Sequence, residues 1–185
     1  MARSADEYQR EREKWRNFLR IRPAGVLVPG PGQESVWDYP RPPRVEHRSE
    51  QVEVVFAGES VAVTLSSYRV LETSHPPAYY LPPDNVIPGC LRPSGRTSVC
   101  EFRGVATYLT LTHKKQTSVD AAWTYLEPSP GFEELTGYVA FYPARVEMCV
   151  VGLEPVQAQA GGFYGGWITS GIVGPFKGGP GTEGW

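Results

Sequence analysis

Residues 52–72 read VEVVFAGESVAVTLSSYRVLE. Apolar and β-branched side chains recur at every second position here, the period of a half-buried strand, so the stretch divides into strands at 52–56, 60–65 and 68–72. The AGES link between the first two contains Gly58, and glycine takes the positive φ that a tight turn demands. These two strands are therefore expected to pair antiparallel. The same pattern continues in VATYLTLT (105–112), VDAAWTY (119–125), GYVAFY (137–142) and RVEMCVV (145–151). Between them HKKQTS (113–118) reads as a polar tip, and PGFEELTG (130–137) as a single helical turn stopped by Gly137. The fold class this predicts is mainly β: a small antiparallel domain at residues 34–152.

Two flanks differ in character. Residues 1–33 read as a helix over 4–21, with Ser4 and Glu7 as a capping box, followed by a Pro/Gly connector from Pro23. Residues 153–185 are glycine-rich but carry Phe163, Tyr164, Trp167, Phe176 and Trp185, more aromatics than a flexible linker needs. They read as an irregular arm draped on the domain and pinned by buried rings. The 185 residues suit one domain with appendages, and 20 glycines with 18 prolines leave little room for long helices. A net charge of −2 offers no field for a phosphate backbone, so no nucleic acid is expected. No apolar run is long enough to span a membrane, and three scattered cysteines with no leader-like start point to the cytoplasm. His47, His75 and His113 lie in separate contexts, so neither a metal nor another cofactor is expected.

The chemistry concentrates in two proline-dense segments, ESVWDYPRPP (34–43) and LETSHPPAYYLPP (71–83). Proline presets an extended backbone at low ordering cost, which suits recognition loops. Trp37, Tyr39 and Tyr80 supply flat surfaces there, joined by Trp123 and Tyr142 from the strands. Arg41 and Arg103 supply charged forks, and Glu72 and His75 a carboxylate and a titratable ring. Together they predict an aromatic-lined groove for a small polar or anionic molecule. A second reading is a small hydrolase or transferase using Cys100 or Glu72 with His75, since a cysteine near an arginine gains thiolate character. Cys100 is equally read as a small buried hydrophobe. A third reading is an adaptor whose arm docks a partner, with a second copy of the chain as the macromolecular partner left open.

ESVWDYPRPPRVE, VLETSHPPAYYLPP, CEFRGVATY, AAWTYLEPSPGFEELTGYVAFYPARVE and GPFKGGPGTEGW, in that order, resemble the proteins grouped as domain of unknown function 427. The resemblance covers residues 34–152, and the arm resembles the end of longer members. It implies β-tent-like sheets over a loop-lined groove, and a single copy of the domain in this chain. The family's label alludes to nucleotidyltransferases. That chemistry calls for closely spaced carboxylates to place metal ions, and Asp6, Asp38, Asp84 and Asp120 are scattered. Where relatives resembling this chain read Cys-Pro-aromatic-Lys-Gly, it has Cys100, Glu101, Phe102, Arg103 and Gly104. Arginine keeps its proton, so Arg103 suits anion binding and not Schiff-base chemistry.

Overall fold

The computed structural model describes Asp6, Arg10, Glu13 and residues 22–185. In chain order the strands are β1 (Glu34–Ser35), β2 (Arg44–Arg48), β3 (Val52–Phe56), β4 (Glu59–Thr64), β5 (Ser67–Leu71) and β6 (Ala78–Leu81). Then come β7 (Leu91–Cys100), β8 (Gly104–His113), β9 (Gln116–Thr124), β10 (Val139–Phe141) and β11 (Met148–Val151). The arm adds β12 (Glu154–Pro155), β13 (Gln157–Ala158), β14 (Trp167–Ile168) and β15 (Ile172–Val173). Short 3-10 turns are the only helical elements delimited among the described residues. The helix expected at 4–21 lies outside the described residues except at Asp6, Arg10 and Glu13, each of which has α-helical backbone. No described helix is long and apolar enough to cross a membrane.

A seven-stranded antiparallel sheet runs β2-β5-β6-β10-β9-β8-β7, and a four-stranded sheet runs β12-β11-β3-β4. β3 and β4 pair antiparallel with Phe56 opposite Glu59, so Ala57 and Gly58 alone turn the chain. Both have positive φ, 55° and 73°, the backbone of the primed hairpin turn whose twist matches the flanking strands.

Alternation sorts the side chains into two apolar clusters. Val52, Val54, Phe56, Val61, Leu81, Leu111, Phe141 and Cys149 share one. Tyr80, Phe102, Tyr108, Trp123, Tyr125, Phe132, Leu135 and Tyr142 share the other. Along β6 the neighbours Tyr79 and Tyr80 fall in different clusters, as strand alternation requires. Burial of large apolar side chains, each worth about 1.5–3 kcal/mol, ties the sheets together.

Two strands depart from the expectation. Residues 71–83 read as one proline-rich loop, yet β6 occupies its middle and sits inside the large sheet between β5 and β10. Pro76, Pro77, Pro82 and Pro83 fall outside the strand and delimit it. Residues 91–100, LRPSGRTSVC, form the edge strand β7 in spite of Pro93 and Gly95. Pro93 still lies opposite Leu109, as an edge strand allows, and the pairing with β8 slips between Pro93 and Thr97, an irregularity that takes in Gly95.

The arm is packed onto the domain. Trp167 is 1% exposed, and its Nε1 donates to the Phe141 carbonyl at 3.0 Å. Glu34 and Ser35 pair in parallel with Ile172 and Val173.

Candidate functional site

Registry across the large sheet builds a floor. Tyr108 lies opposite Trp123, Trp123 opposite Ala140, Ala140 opposite Tyr80, and Tyr80 opposite Tyr68. The small side chain of Ala140 lets its two large neighbours meet above it: Trp123 Nε1 donates to Tyr80 Oη at 3.2 Å. Tyr142 leans on Trp123 with ring centres 4.6 Å apart, and its hydroxyl donates to the Phe163 carbonyl at 3.0 Å. Burial pushes the phenols of Tyr80, Tyr125 and Tyr142 up, so they remain protonated.

Two turns bring charge to the edge of this floor. Glu72 to His75 form a turn closed by the His75 N–H and the Glu72 carbonyl at 3.0 Å, with Ser74 at φ 71°. That positive φ at the third residue is the type II pattern, taken here by serine instead of glycine. The turn is held from outside by hydrogen bonds of 3.3 Å from Thr73 N to Pro40 O, 3.0 Å from Ser74 N to Val36 O and 2.8 Å from Lys177 N to Ser74 O. Pro76 then restricts His75 to extended backbone, so the turn cannot continue as a helix. The second turn joins β7 to β8. Cys100 faces Gly104 across it, and a Cβ on Gly104 would stand 3.0 Å from Ser129 Oγ. Phe102, 1% exposed, anchors this turn, and Arg103 reaches inward from it.

Glu72 sits where the two turns converge. Arg103 Nη1 lies 3.3 Å from its Oε2, and Arg41 Nε 3.7 Å from its Oε1. Each oxygen thus faces one guanidinium. Arg41 also bonds Glu101 at 2.8 Å, and Arg103 Nε donates to Tyr125 Oη at 3.4 Å. Burial alone would raise the Glu72 pKa, but the guanidinium groups of Arg103 and Arg41 outweigh it and hold the carboxyl below its ordinary range. It is a fixed anion.

His75 is fixed in a different way. Gln159 Oε1 accepts the Gly166 N–H at 3.1 Å, and Gln159 Nε2 donates to the Lys177 carbonyl at 2.7 Å. These main-chain partners settle which end of the amide is which. Gln159 Nε2, 3.1 Å from His75 Nδ1, is therefore the donor, and His75 Nδ1 carries no proton. The neutral ring must hold its proton on Nε2. Protonating Nδ1 would set two donors against each other, and burial independently depresses the His75 pKa to about 4.

The turns, the floor and the arm enclose a cavity of about 240 Å³. Arg41, Glu72, His75, Tyr80, Cys100, Arg103, Trp123 and Tyr142 all line it. Trp37 and Tyr39 do not. Trp37 Nε1 donates to the Pro175 carbonyl at 2.8 Å and its ring packs edge-on against Trp185 at 5.3 Å, while Tyr39 Oη donates to Glu34 at 2.6 Å beside Arg69. Both clamp the arm and the first proline loop onto the domain. Aromatic residues among prolines stack as readily on the chain as on a ligand, and sequence offers nothing to separate the two. Tyr108, Tyr125, Gln159, Tyr164 and Lys177 were not assigned to the groove and do line the cavity. Tyr125 was detectable by its alternation with Trp123; Tyr108, which meets Trp123 only through cross-strand register, and Gln159 and Lys177 had no such local signal.

The description that matches this chain, over residues 44–152, is "NTP_transf_9: Domain of unknown function (DUF427)". The chain belongs to the DUF427 family. Among curated proteins none matches it. The DUF427 span holds the floor and both turns, whereas Arg41, Gln159, Tyr164 and Lys177 lie outside it. No group of three or more His, Cys, Asp or Glu side chains placed to hold a metal ion is present among the described residues.

The arm forms the roof of the DUF427 cavity through close glycine contacts. A Cβ on Gly165 would stand 2.3 Å from Trp123 Cη2, and one on Gly166 2.8 Å from the Pro76 carbonyl. Gly165→Ala is therefore expected to lift the arm off Trp123 and lower the thermal midpoint by several degrees, a loss of about 1–3 kcal/mol for overpacking. Limited proteolysis should then cut between residues 159 and 177 faster than in the parent. Unchanged melting and cleavage would mean that the roof is not seated on Trp123.

Proposed function

We propose that the protein binds a small anionic molecule in this aromatic-floored cavity. The observation that carries the reading is the convergence of Arg41, Arg103 and Lys177, beside the carboxylates Glu72 and Glu101, on one partly enclosed space walled largely by aromatic rings. Cations over apolar walls select an anion with a flat body, because charge is paid for by the guanidinium and ammonium groups while the body is desolvated on the rings. About 240 Å³ lies just below the usual ligand-pocket range of about 300–1,000 Å³, which favours a compact molecule over a nucleotide.

The two features that shape the site work against the hydrolase or transferase reading. A general base near neutrality needs a pKa near the working pH, yet Glu72 is held low by two arginines and His75 has Nδ1 committed to Gln159. Cys100 lines the cavity and accepts the Arg103 N–H at 3.5 Å; Cys90 and Cys149 are buried elsewhere, with pKa values raised by burial. The adaptor reading meets a different obstacle, since Trp167 and Trp185 are engaged within the chain.

Thermal unfolding of the full chain against small carboxylates, sulfonates and phosphates, each with a neutral amide or alcohol counterpart, tests the proposal. A ligand at a hundredfold its Kd adds about 2.7 kcal/mol of stability. Stabilisation by anionic and not neutral members is the expected result. A panel with no stabilising anion, or with equal effects from neutral counterparts, sinks the reading.

A further inference from the structure

The large sheet has a second face, and a second cavity lies against it. Strand alternation puts Tyr80 with the aromatic floor and its neighbour Tyr79 with the opposite cluster. Tyr79 stands opposite Arg69 on β5, and Arg69 opposite Glu46 on β2, so one row across the sheet carries a phenol, a guanidinium and a carboxylate. Beside this row β12 and the docked arm enclose about 270 Å³, whose charged lining is Glu34, Arg48, Glu50, Arg69 and Glu154. The two cavities share no lining residue.

The second cavity is negative once every ion pair is followed. Arg69 bonds Glu34 through two nitrogens, at 2.8 and 3.1 Å, and its Nε donates to Glu46 at 2.8 Å, so two carboxylates share one guanidinium. Arg48 stands 3.6 Å from Glu50, outside hydrogen-bond distance. Glu154 accepts the Ser170 N–H at 2.5 Å and the Ser170 hydroxyl at 2.7 Å, and no cation is paired with it among the described residues. Four carboxylates therefore stand against two guanidinium groups. A cation fits this balance and an anion does not.

Tyr79 is an independent sign of a ligand. It is 6% exposed, and its hydroxyl has no hydrogen-bond partner among the described residues. The charges acting on the phenol are those of Arg69, Arg48, Glu50 and Glu34, all on the cavity wall, which places the hydroxyl at the cavity end of the ring. Burial raises its pKa, so it stays protonated and can accept a hydrogen bond while remaining neutral. Leaving a buried hydroxyl unpaired is unfavourable, and a ligand that donates to it relieves this.

The carboxylates are spread along the wall. Among the described residues none is in a group of three placed to hold a metal ion. Glu50 and Glu154 both border the turn between β11 and β12: a Cβ on Gly152 would stand 2.7 Å from Glu50 Oε1, and Glu154 pairs with Val151. Val151, Trp167 and Ile172 add apolar wall. Separate anionic points joined by apolar surface call for a cation of some length.

We infer that this cavity binds a small linear diamine in its diammonium form, with one ammonium group for Glu50 and the Tyr79 hydroxyl, the other for Glu154, and the methylene chain along Val151, Trp167 and Ile172. The site is separate from the anion cavity, and neither reading depends on the other.

Calorimetric titration of the full chain with putrescine, cadaverine, butylamine, butanediol and magnesium chloride tests this. The better of the two diamines is expected to bind at least about tenfold more tightly than butylamine, which leaves one carboxylate without a charge-assisted hydrogen bond. Butanediol should not bind measurably, and magnesium chloride should not displace the diamine at equal concentration. Glu50→Gln and Glu154→Gln should each weaken the diamine about tenfold, towards butylamine, and Tyr79→Phe about threefold or more. Glu134→Gln removes the same charge from an exposed position outside the cavity and should leave diamine affinity unchanged. The comparison among compounds uses the parent chain, so it decides the matter even where a variant fails to fold. Equal binding of butylamine and the diamines, displacement by magnesium, or an equal loss in Glu134→Gln would show diffuse charge attraction and overturn the inference. Absence of binding by both diamines overturns it as well. The anion cavity is untouched by any of these results.

Discussion

Replacing Arg103 with methionine is expected to lower the unfolding free energy by about 3 kcal/mol at pH 7, the cost of removing one partner from a buried ion pair. Glu72 is 12% exposed at its side chain, and without Arg103 its nearest remaining cation is Arg41 at 3.7 Å. Methionine keeps the volume, so the loss measures charge and hydrogen bonding, including the contact to Tyr125 Oη. Denaturant unfolding of Arg103→Met, Glu72→Gln and the double variant isolates the pair. The double variant should be more stable than Arg103→Met, since it no longer buries an unpaired carboxylate. Strictly additive losses would mean that Arg103 and Glu72 are not coupled. Binding of small anions should fall with Arg103→Met as well, giving the same residue a structural and a recognition role.

The second large effect is a pH dependence that belongs to His75. Glu72, Lys177, Arg103 and Arg41 act on the ring electrostatically, and Gln159 and Tyr164 touch it. Its pKa is depressed from 6.5 to about 4 in the folded protein. Between those values the unfolded chain binds the proton and the native one does not, so stability must rise with pH across that window. Read downward, stability is complete above about pH 6.5 and is lost as the pH falls towards 4, by about 3 kcal/mol in all. Glu72 adds a further loss at lower pH, because its folded carboxyl sits below the ordinary 4.5 and the unfolded chain takes up that proton first. His47 and His113 are present in parent and variant alike. The difference between the parent and His75→Asn therefore reports His75 alone. Its stability curve should be flatter than the parent's from pH 6.5 to 4. Parallel curves would mean that the imidazole is free to charge, and the Gln159 contact would lose its meaning.

These effects centre on contacts of very different sequence separation, which explains how much was legible in advance. Val52–Thr64 could be read directly, because strand alternation and a two-residue positive-φ turn are local properties of the chain. The turn Glu72–His75 was partly legible, since the prolines after it forbid helix and mark a presented loop. β6 and β7 were hidden by the reverse effect: prolines and a glycine look like loop until neighbouring strands show that they fall at strand ends or in an edge irregularity.

The amino-acid sequence alone determined the strand period, the hairpin turn, the absence of long apolar runs and the supply of rings and charges, because each depends on residues within a few positions of one another. Only the tertiary structure decided which rings became floor and which became clamp, as Trp123 and Trp37 show. It also decided the state of His75, whose partner Gln159 is 84 residues away. A proton's place on an imidazole follows from the group facing the other nitrogen, and sheet registry and the docked arm choose that group.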